Sequence, residues 1–401
     1  QFNRDVRRIL YELSLERFES RLEERGIPVQ PIPVAHGDPL ALPNVEPINQ
    51  RPPSRNGRQV PVDALHLSEA VRTGLRRQGI SALYTHQALA LEYMRQMRED
   101  PVDLVLTTPT ASGKTWAFLP GIVEDLLDRG GNALFLYPLR ALTIDQEAKI
   151  QGFLEATPGH ALRLDSFHGS RRLEEIIDPR LGMPDLLVAT PDKMNHALHE
   201  QDLQALIGEL RYIVLDEAHT YRGFFGINAA LFLRRLLYFA RDDVRLVLSS
   251  ATLENTIDFA RRLTGRTRFR VIGASGAPAH PRYYYLSHNR FRRNGGAHLI
   301  ALRTLGRTLL DKNKKAVVFV PWRAQAQRLS QAVRVKDLQV SPLISGVGNY
   351  NEILEQLRSG EQATLVFSTT TLEAGIDIGD LDYVGIYGFP GSRTSFKQMA
   401  G

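Results

Sequence analysis

A segment of eight residues carries the groups needed to hold phosphate. Residues 108–115 read Thr-Pro-Thr-Ala-Ser-Gly-Lys-Thr, between an apolar run and a stretch with helical character. In a loop so placed, backbone N–H groups and the positive end of the helix can face phosphate oxygens. Lys114 would reach the β- and γ-phosphates, and the Thr115 hydroxyl would bind Mg²⁺. Thr108 replaces the first glycine of the strict pattern, so a chance Gly-Lys-Thr turn is the alternative.

A second segment places two carboxylates after a buried strand. Residues 212–215 are apolar, and Asp216 and Glu217 follow them at the edge where open α/β sheets bind ligands. Asp216 would hold the metal, mostly through water, and Glu217 would orient and deprotonate an attacking water. An Asp-Glu pair can also cap a helix. The phosphate loop about a hundred residues earlier favours the catalytic interpretation.

Short apolar runs alternate with longer amphipathic stretches around these segments, which predicts parallel sheets flanked by helices. We predict strands at 103–107, 133–137, 162–167, 186–189, 212–215, 245–249, 316–320, 364–367 and 383–387. The predicted domains are an N-terminal helix with a Pro-rich connector (1–60), an ATP-binding domain (61–275), a linker (276–296) and a second domain (297–401).

The composition limits the class of protein. The 401 residues, 43% of them hydrophobic and 23% charged, suit two globular domains. No apolar run approaches the roughly 18 residues of a membrane span, so we expect no membrane contact. The absence of cysteine suggests a reducing compartment, and we expect a cytoplasmic location. The chain has no cysteine, which excludes disulfides, thiolate metal sites and cysteine nucleophiles. The formal charge of +6 permits a nucleic-acid partner.

The ordered motifs resemble those of superfamily 2 helicases of the DEAH-box type, over about residues 80 to 401. The resemblance implies an α/β fold of two RecA-like domains, with ATP and Mg²⁺ in the cleft between them. It implies ATP hydrolysis coupled to movement along a nucleic-acid strand. The implied catalytic residues are Lys114, Asp216, Glu217 and His219, and the metal ligands are Thr115 and Asp216.

The same resemblance assigns binding residues by motif. Contacts to ATP are implied for Tyr84, Gln87, Thr110, Ala111, Ser112, Gly113, Lys114, Thr115, Gly375 and Asp377. Among these, the Gln87 amide would read adenine, because an amide both donates and accepts. Contacts to the strand are implied for Pro138, Arg140, Gly169, Thr190, Pro191, Asp192 and Thr370. Coupling between hydrolysis and strand separation is implied for Ser250, Ala251 and Thr252.

Three segments are similar more specifically to those of the MrfA-type, DUF1998-associated DNA helicases: residues 137–140, 216–226 and 372–377. This group implies 3′-to-5′ movement on DNA in repair of cross-links, and related motors serve in DISARM-like anti-phage systems with partner proteins. Two other functions remain open: an RNA helicase, since phosphate contacts do not sense the 2′-OH, and a non-hydrolysing subunit that uses ATP as a latch.

The end of the sequence departs from the family pattern. Residues 398–401 read Gln-Met-Ala-Gly, and the motif to which they correspond continues with arginines that contact the γ-phosphate. An arginine of that kind supplies orders of magnitude in rate. We therefore expect the second domain to be incomplete and this stretch to bind ATP but hydrolyse it slowly.

Overall fold

The chain forms two compact units in a computed structural model. The described residues are 14–33, 54–100, 102–110, 112–159, 161–177, 180, 182–251, 253, 255–285, 297–344, 350–359, 362–369, 381–388, 395–396 and 399–400. The first unit takes the described residues from 14 to 33 and from 55 to 279, and the second takes Ser54 with those from 280 onward.

The first unit combines ten strands with nine α-helices among its described residues. The strands are β1 (Gln30–Ile32), β2 (Gly57–Pro61), β3 (Ala82–Tyr84), β4 (Asp103–Leu106), β5 (Asn132–Leu136), β6 (Leu164–Phe167), β7 (Leu186–Ala189), β8 (Leu210–Leu215), β9 (Arg245–Ser249) and β10 (Phe269–Ile272). The helices are α1 (14–24), α2 (Glu69–Arg77), α3 (Thr85–Gln96), α4 (Thr115–Arg129), α5 (Arg140–Ala156), α6 (Pro191–Ala197), α7 (Gln201–Gly208), α8 (Gly223–Phe239) and α9 (Thr256–Thr264).

Strands β4 to β10 form one parallel sheet in the order β10-β4-β9-β8-β5-β7-β6. Helices cover both of its faces, which is why the central strands β4, β9, β8 and β5 each contain an unbroken apolar run of three or four residues. Within β4, for example, Leu104 and Leu106 point into one core and Val105 into the other. Because all seven strands are parallel, the loops that follow them meet at one edge of the sheet, which we call the carboxyl edge.

The N-terminal segment belongs to the first unit. Strands β1, β2 and β3 form a small antiparallel sheet, and β3 leads directly into α3. Helix α1 packs Leu15, Phe18 and Leu22 against the core of the unit. Its buried Glu19 accepts a 2.7 Å hydrogen bond from the Thr85 hydroxyl at the start of α3, and Oε2 of Glu19 lies 2.9 Å from Arg58.

These contacts move the domain bounds away from the predicted ones. We expected a separate segment 1–60, but α1, β1 and β2 pack with the first unit. We expected a linker from 276, but Gly276 donates its N–H to His86 Nδ1 at 3.1 Å and Ala279 forms a β-bridge with Arg55. Much of the Pro-rich connector and of the linker lies outside the described residues.

The second unit is a smaller parallel sheet flanked by helices. Its strands are β11 (Lys315–Phe319), β12 (Gln339–Leu343), β13 (Thr364–Ser368) and β14 (Tyr383–Ile386), in the order β12-β13-β11-β14. Its helices are α10 (Ala297–Lys312), α11 (Arg323–Ala332) and α12 (Tyr350–Ser359). The predicted α/β fold class is confirmed in both units. Among the residues described, no helix is long and apolar enough to cross a bilayer.

Candidate nucleotide site and nucleic-acid edge

The phosphate loop joins β4 to α4 at the carboxyl edge. Gly113 has a φ of +68°, in the left-handed region, and an added Cβ would lie 2.6 Å from Nε2 of Gln87, so only glycine fits without displacing that amide. The hydroxyls of Thr108 and Ser112 share a buried hydrogen bond of 2.7 Å, which closes the loop where the strict pattern has its first glycine. Lys114 precedes α4 and donates to the Pro109 carbonyl at 3.2 Å, across the loop.

Gln87 ties helix α3 to this loop. Its Oε1 accepts the Tyr84 N–H at 2.8 Å, and its Nε2 donates to the carbonyls of Gly113 at 2.8 Å and Ser112 at 3.3 Å. The Tyr84 ring stacks on His86, with centroids 5.9 Å apart. The amide is therefore buried and engaged with the loop, and its contact with adenine stays a prediction.

Thr115 opens helix α4 and contacts a residue that the sequence analysis did not identify. Its hydroxyl donates to Oε1 of Gln146 at 3.0 Å, and both side chains are buried. Gln146 lies on α5, 31 positions away, and no motif that we recognised includes it. A buried polar side chain on the inner face of an amphipathic helix is the one signal that could have revealed it.

The two carboxylates follow β8, at the same carboxyl edge of the sheet as the phosphate loop that follows β4. Glu217 is held at a φ of +46°, a left-handed conformation that is unusual for this residue type, and its N–H donates to Oδ1 of Asp216 at 2.9 Å. Burial raises the pKa of Asp216, and the adjacent charge of Glu217 raises it further. Burial alone would also raise the pKa of Glu217, but a hydrogen bond from His219 and the charge of Lys114 hold it below its ordinary value. Glu217 is thus kept ionised, as a general base must be.

The same residues fit Mg²⁺ by their chemistry. The Asp216 carboxylate and the Thr115 hydroxyl are oxygen donors, the class that Mg²⁺ prefers. A cation beside Asp216 would offset the burial and repulsion that raise its pKa. Across the described residues, no three His, Cys, Asp or Glu side chains are grouped so as to hold a metal alone. Phosphate oxygens and water usually complete the coordination of Mg²⁺ in phosphate-transfer sites.

His219 connects the carboxylates to the loop after β9. Its Nδ1 lies 3.1 Å from Oε2 of Glu217 and 3.1 Å from Oγ of Ser250. Ala251 follows as a buried residue, and Thr252 lies outside the described residues. The predicted catalytic and coupling segments therefore meet through one imidazole.

The predicted strand-binding residues of the first unit lie along the rest of the carboxyl edge. Arg140 begins α5 and packs on Gly169, whose φ is +62° and whose added Cβ would lie 3.1 Å from the guanidinium carbon. Thr190 precedes α6, with Pro191 and Asp192 in the first turn. The segments after β5, β6 and β7 that include Pro138, Gly169 and Thr190 are thus adjacent in the sheet.

One cation on this edge was not predicted. The ammonium of Lys193 lies 5.0 Å from the centroid of the Phe167 ring, next to Asp192 in the chain. Five predicted site residues fall outside the described residues: Ala111, Thr252, Thr370, Gly375 and Asp377.

Comparison with known proteins agrees with these motifs. Residues 84–259 match the DEAD/DEAH box helicase family, and residues 299–401 match the helicase conserved C-terminal domain. The uncharacterized ATP-dependent helicase YprA of Bacillus subtilis is 30% identical over 358 residues, covering 84% of this chain and 46% of YprA. The ATP-dependent helicase hrq1 of Schizosaccharomyces pombe is 26% identical over 382 residues, which cover 86% of this chain and 36% of hrq1.

Solved structures share the fold of this chain. The DUF1998 helicase MrfA bound to DNA and AMPPNP superposes with a TM-score of 0.73 at 25% identity, covering 93% of this chain and 51% of that one. The helicase Lhr of Mycobacterium smegmatis bound to ssDNA and AMP-PNP has a TM-score of 0.66 at 21% identity, and the match covers 83% of this chain and 45% of Lhr. The chain spans about half the length of the curated relatives YprA and MJ1574 (46% each).

Proposed function

The chain belongs to the DEAD/DEAH-box helicases of superfamily 2, and from this premise we propose that it is the motor of an ATP-dependent DNA helicase. In this proposal, ATP hydrolysis drives 3′-to-5′ movement along one DNA strand. The observation that carries it is the group formed by Glu217, His219 and Ser250, which joins a base-competent carboxylate to the predicted coupling segment at 3.1 Å contacts.

Each residue of the site has a role in this mechanism. The N–H groups of the phosphate loop and Lys114 bind the β- and γ-phosphates. Thr115 and Asp216 would hold Mg²⁺, which neutralises phosphate charge when bound. Glu217 orients water and accepts its proton. His219 holds the Glu217 carboxylate in place and, through its contact with Ser250, couples a movement of that carboxylate to the loop after β9.

DNA is the substrate that we favour over RNA. Its support is the structural neighbour MrfA, which was solved bound to DNA. Neighbours bound to ssRNA, such as Mss116p at 17% identity, share the fold alone. A role in DNA repair, with anti-phage defence as the alternative, follows from the resemblance to the MrfA group. Partner proteins and a cytoplasmic location stay predictions.

Nucleotide binding and hydrolysis test the enzymatic part of the proposal. Lys114→Ala should lose binding of a fluorescent ATP analogue, because the loop loses its cation. Glu217→Gln should keep binding and lose ssDNA-stimulated hydrolysis, because an amide cannot accept the proton. Normal turnover by Glu217→Gln would show that another group is the base.

A displacement assay tests substrate and direction. Streptavidin is placed at the 3′ or the 5′ end of biotinylated ssDNA, and of the matching RNA, with ATP added. Faster release from the 5′ end of DNA is expected for 3′-to-5′ movement. Equal release from RNA would support the RNA helicase. In a protein that also carries the arginines of the last motif, no release with intact ATP binding would support the ATP-latched subunit.

A further inference from the structure

The hydrogen bond between Thr115 and Gln146 has a defined direction. A threonine hydroxyl has one proton and two lone pairs, and an amide oxygen can only accept. Because Thr115 Oγ1 lies 3.0 Å from Oε1 of Gln146, the proton points to Gln146. Both lone pairs are then free for another partner, which is what a hydroxyl must offer to bind a cation.

A second contact fixes the orientation of the amide. Nε2 of Gln146 donates to Oδ2 of Asp145 at 3.3 Å, which leaves Oε1 facing Thr115. A reversed amide would donate to the hydroxyl and occupy one of its lone pairs. Gln146 is 4% exposed, so water does not compete freely for either end of the amide.

A neutral acceptor suits this position. Asp216 and Glu217 already place two buried carboxylates directly after β8. Oδ1 of Asp216 accepts the Glu217 N–H. An amide takes the threonine proton without adding a further negative charge to this buried group.

Helix α5 connects this contact to the predicted strand-binding edge. Arg140 begins the helix and Gln146 lies six residues later, about 9 Å along its axis at 1.5 Å per residue. A movement of Arg140 on binding a strand would therefore be carried to the Thr115 hydroxyl by a rigid element.

We propose that Gln146 is a positioning residue, which orients the Thr115 hydroxyl for Mg²⁺ and makes this orientation depend on the strand held at Arg140. The inference rests on the proposed function and adds a residue to which no motif assigns a role. Residues that orient a metal ligand typically change metal affinity 10- to 100-fold when they are replaced.

The test measures how much Mg²⁺ is needed to bind a fluorescent ATP analogue, with and without ssDNA. Gln146→Met keeps the length of the side chain and removes the acceptor. This variant should need about tenfold more Mg²⁺ to bind the analogue, and added ssDNA should no longer change its Mg²⁺ requirement. Its affinity for the analogue in EDTA should equal that of the unchanged protein.

Controls separate this inference from folding and from the proposed function. Gln151→Met makes the same exchange at an exposed position of α5, where the amide bonds Glu155, and should change nothing. If Gln146→Met does not fold, Gln146→Asn withdraws the acceptor by one methylene and carries the same expectation. An unchanged Mg²⁺ requirement in the folded variant would overturn the inference alone. Unchanged binding by Lys114→Ala would instead overturn the proposed function.

Discussion

The fit between Gly113 and Gln87 allows a quantitative prediction for Gly113→Ala. The new methyl group would lie 2.6 Å from Nε2 of Gln87, so the amide must move. A long exposed side chain would move at little cost, but this amide is buried and makes three hydrogen bonds, to Tyr84 N–H and to the carbonyls of Gly113 and Ser112.

The cost has two parts. An alanine at a φ of +68° costs about 1–2 kcal/mol in backbone strain. Displacing the amide breaks two hydrogen bonds to the loop carbonyls, each with a net value of about 1 kcal/mol. The second part, about 2 kcal/mol, acts on the phosphate-binding conformation itself and corresponds to roughly 30-fold weaker nucleotide binding.

A matched control isolates the second part. Gly79 has a φ of +76° and no atom within 4 Å of an added Cβ, so Gly79→Ala introduces the strain without the collision. The affinity of both variants for a fluorescent ATP analogue and their free energies of unfolding in urea would be measured. Gly79→Ala should lose about 1–2 kcal/mol of stability and keep its affinity. If Gly113→Ala bound nucleotide as tightly as Gly79→Ala, the contact between Gln87 and the loop would not shape the site.

Three further perturbations follow from the contacts of the site. Burial lowers the pKa of His86 from 6.5 to about 3, so the unfolded chain binds a proton that the folded chain does not. Stability should therefore fall as the pH drops from 6.5 toward 3, by at most about 1.4 kcal/mol per pH unit, and His86→Asn should remove this component in urea titrations at several pH values. Arg140→Ala should weaken ssDNA binding and reduce its salt dependence by about one ion in anisotropy titrations, and equal salt slopes would exclude a phosphate contact. His219→Ala removes a contact that lowers the pKa of Glu217, so the acid limb of the ATPase pH profile should move to higher pH; an unmoved limb would mean that His219 does not tune the base.

The sequence predicted the strands whose signals are local. Strands β4 and β8 each end in an unbroken apolar run, at 104–106 and 212–215, and each is followed by residues of distinctive chemistry. Strand β10 was not predicted, because it pairs with β4 from a distant part of the chain and its sequence, Phe-Arg-Val-Ile, is short and interrupted by a charge. Strands β1 and β2 lie in and beside a Pro-rich segment whose composition favours an extended connector, and only their pairing shows that they form a sheet.

In the candidate site, too, residues with local sequence signals were predicted and residues defined by distant contacts were not. Lys114, Asp216 and Glu217 stand in motifs, so their types and spacing were sufficient. Gln146 and Lys193 contact the site through partners that are distant in sequence, Thr115 and Phe167. A contact between two distant residues leaves no pattern in a single sequence, whereas a phosphate loop does.

The buried Glu19 has a practical consequence for anyone who expresses a part of this protein. The match to the helicase family begins at residue 84, which invites a recombinant fragment that starts there. Such a fragment would lack the Glu19 carboxylate, which accepts a hydrogen bond from the Thr85 hydroxyl. It would also lack the apolar side chains of α1 that pack on the core. The first turn of α3, which carries Gln87 to the phosphate loop, would then be frayed. A fragment intended to keep the native first turn of α3 should therefore include α1, and chimeras with relatives should exchange α1 and α3 together.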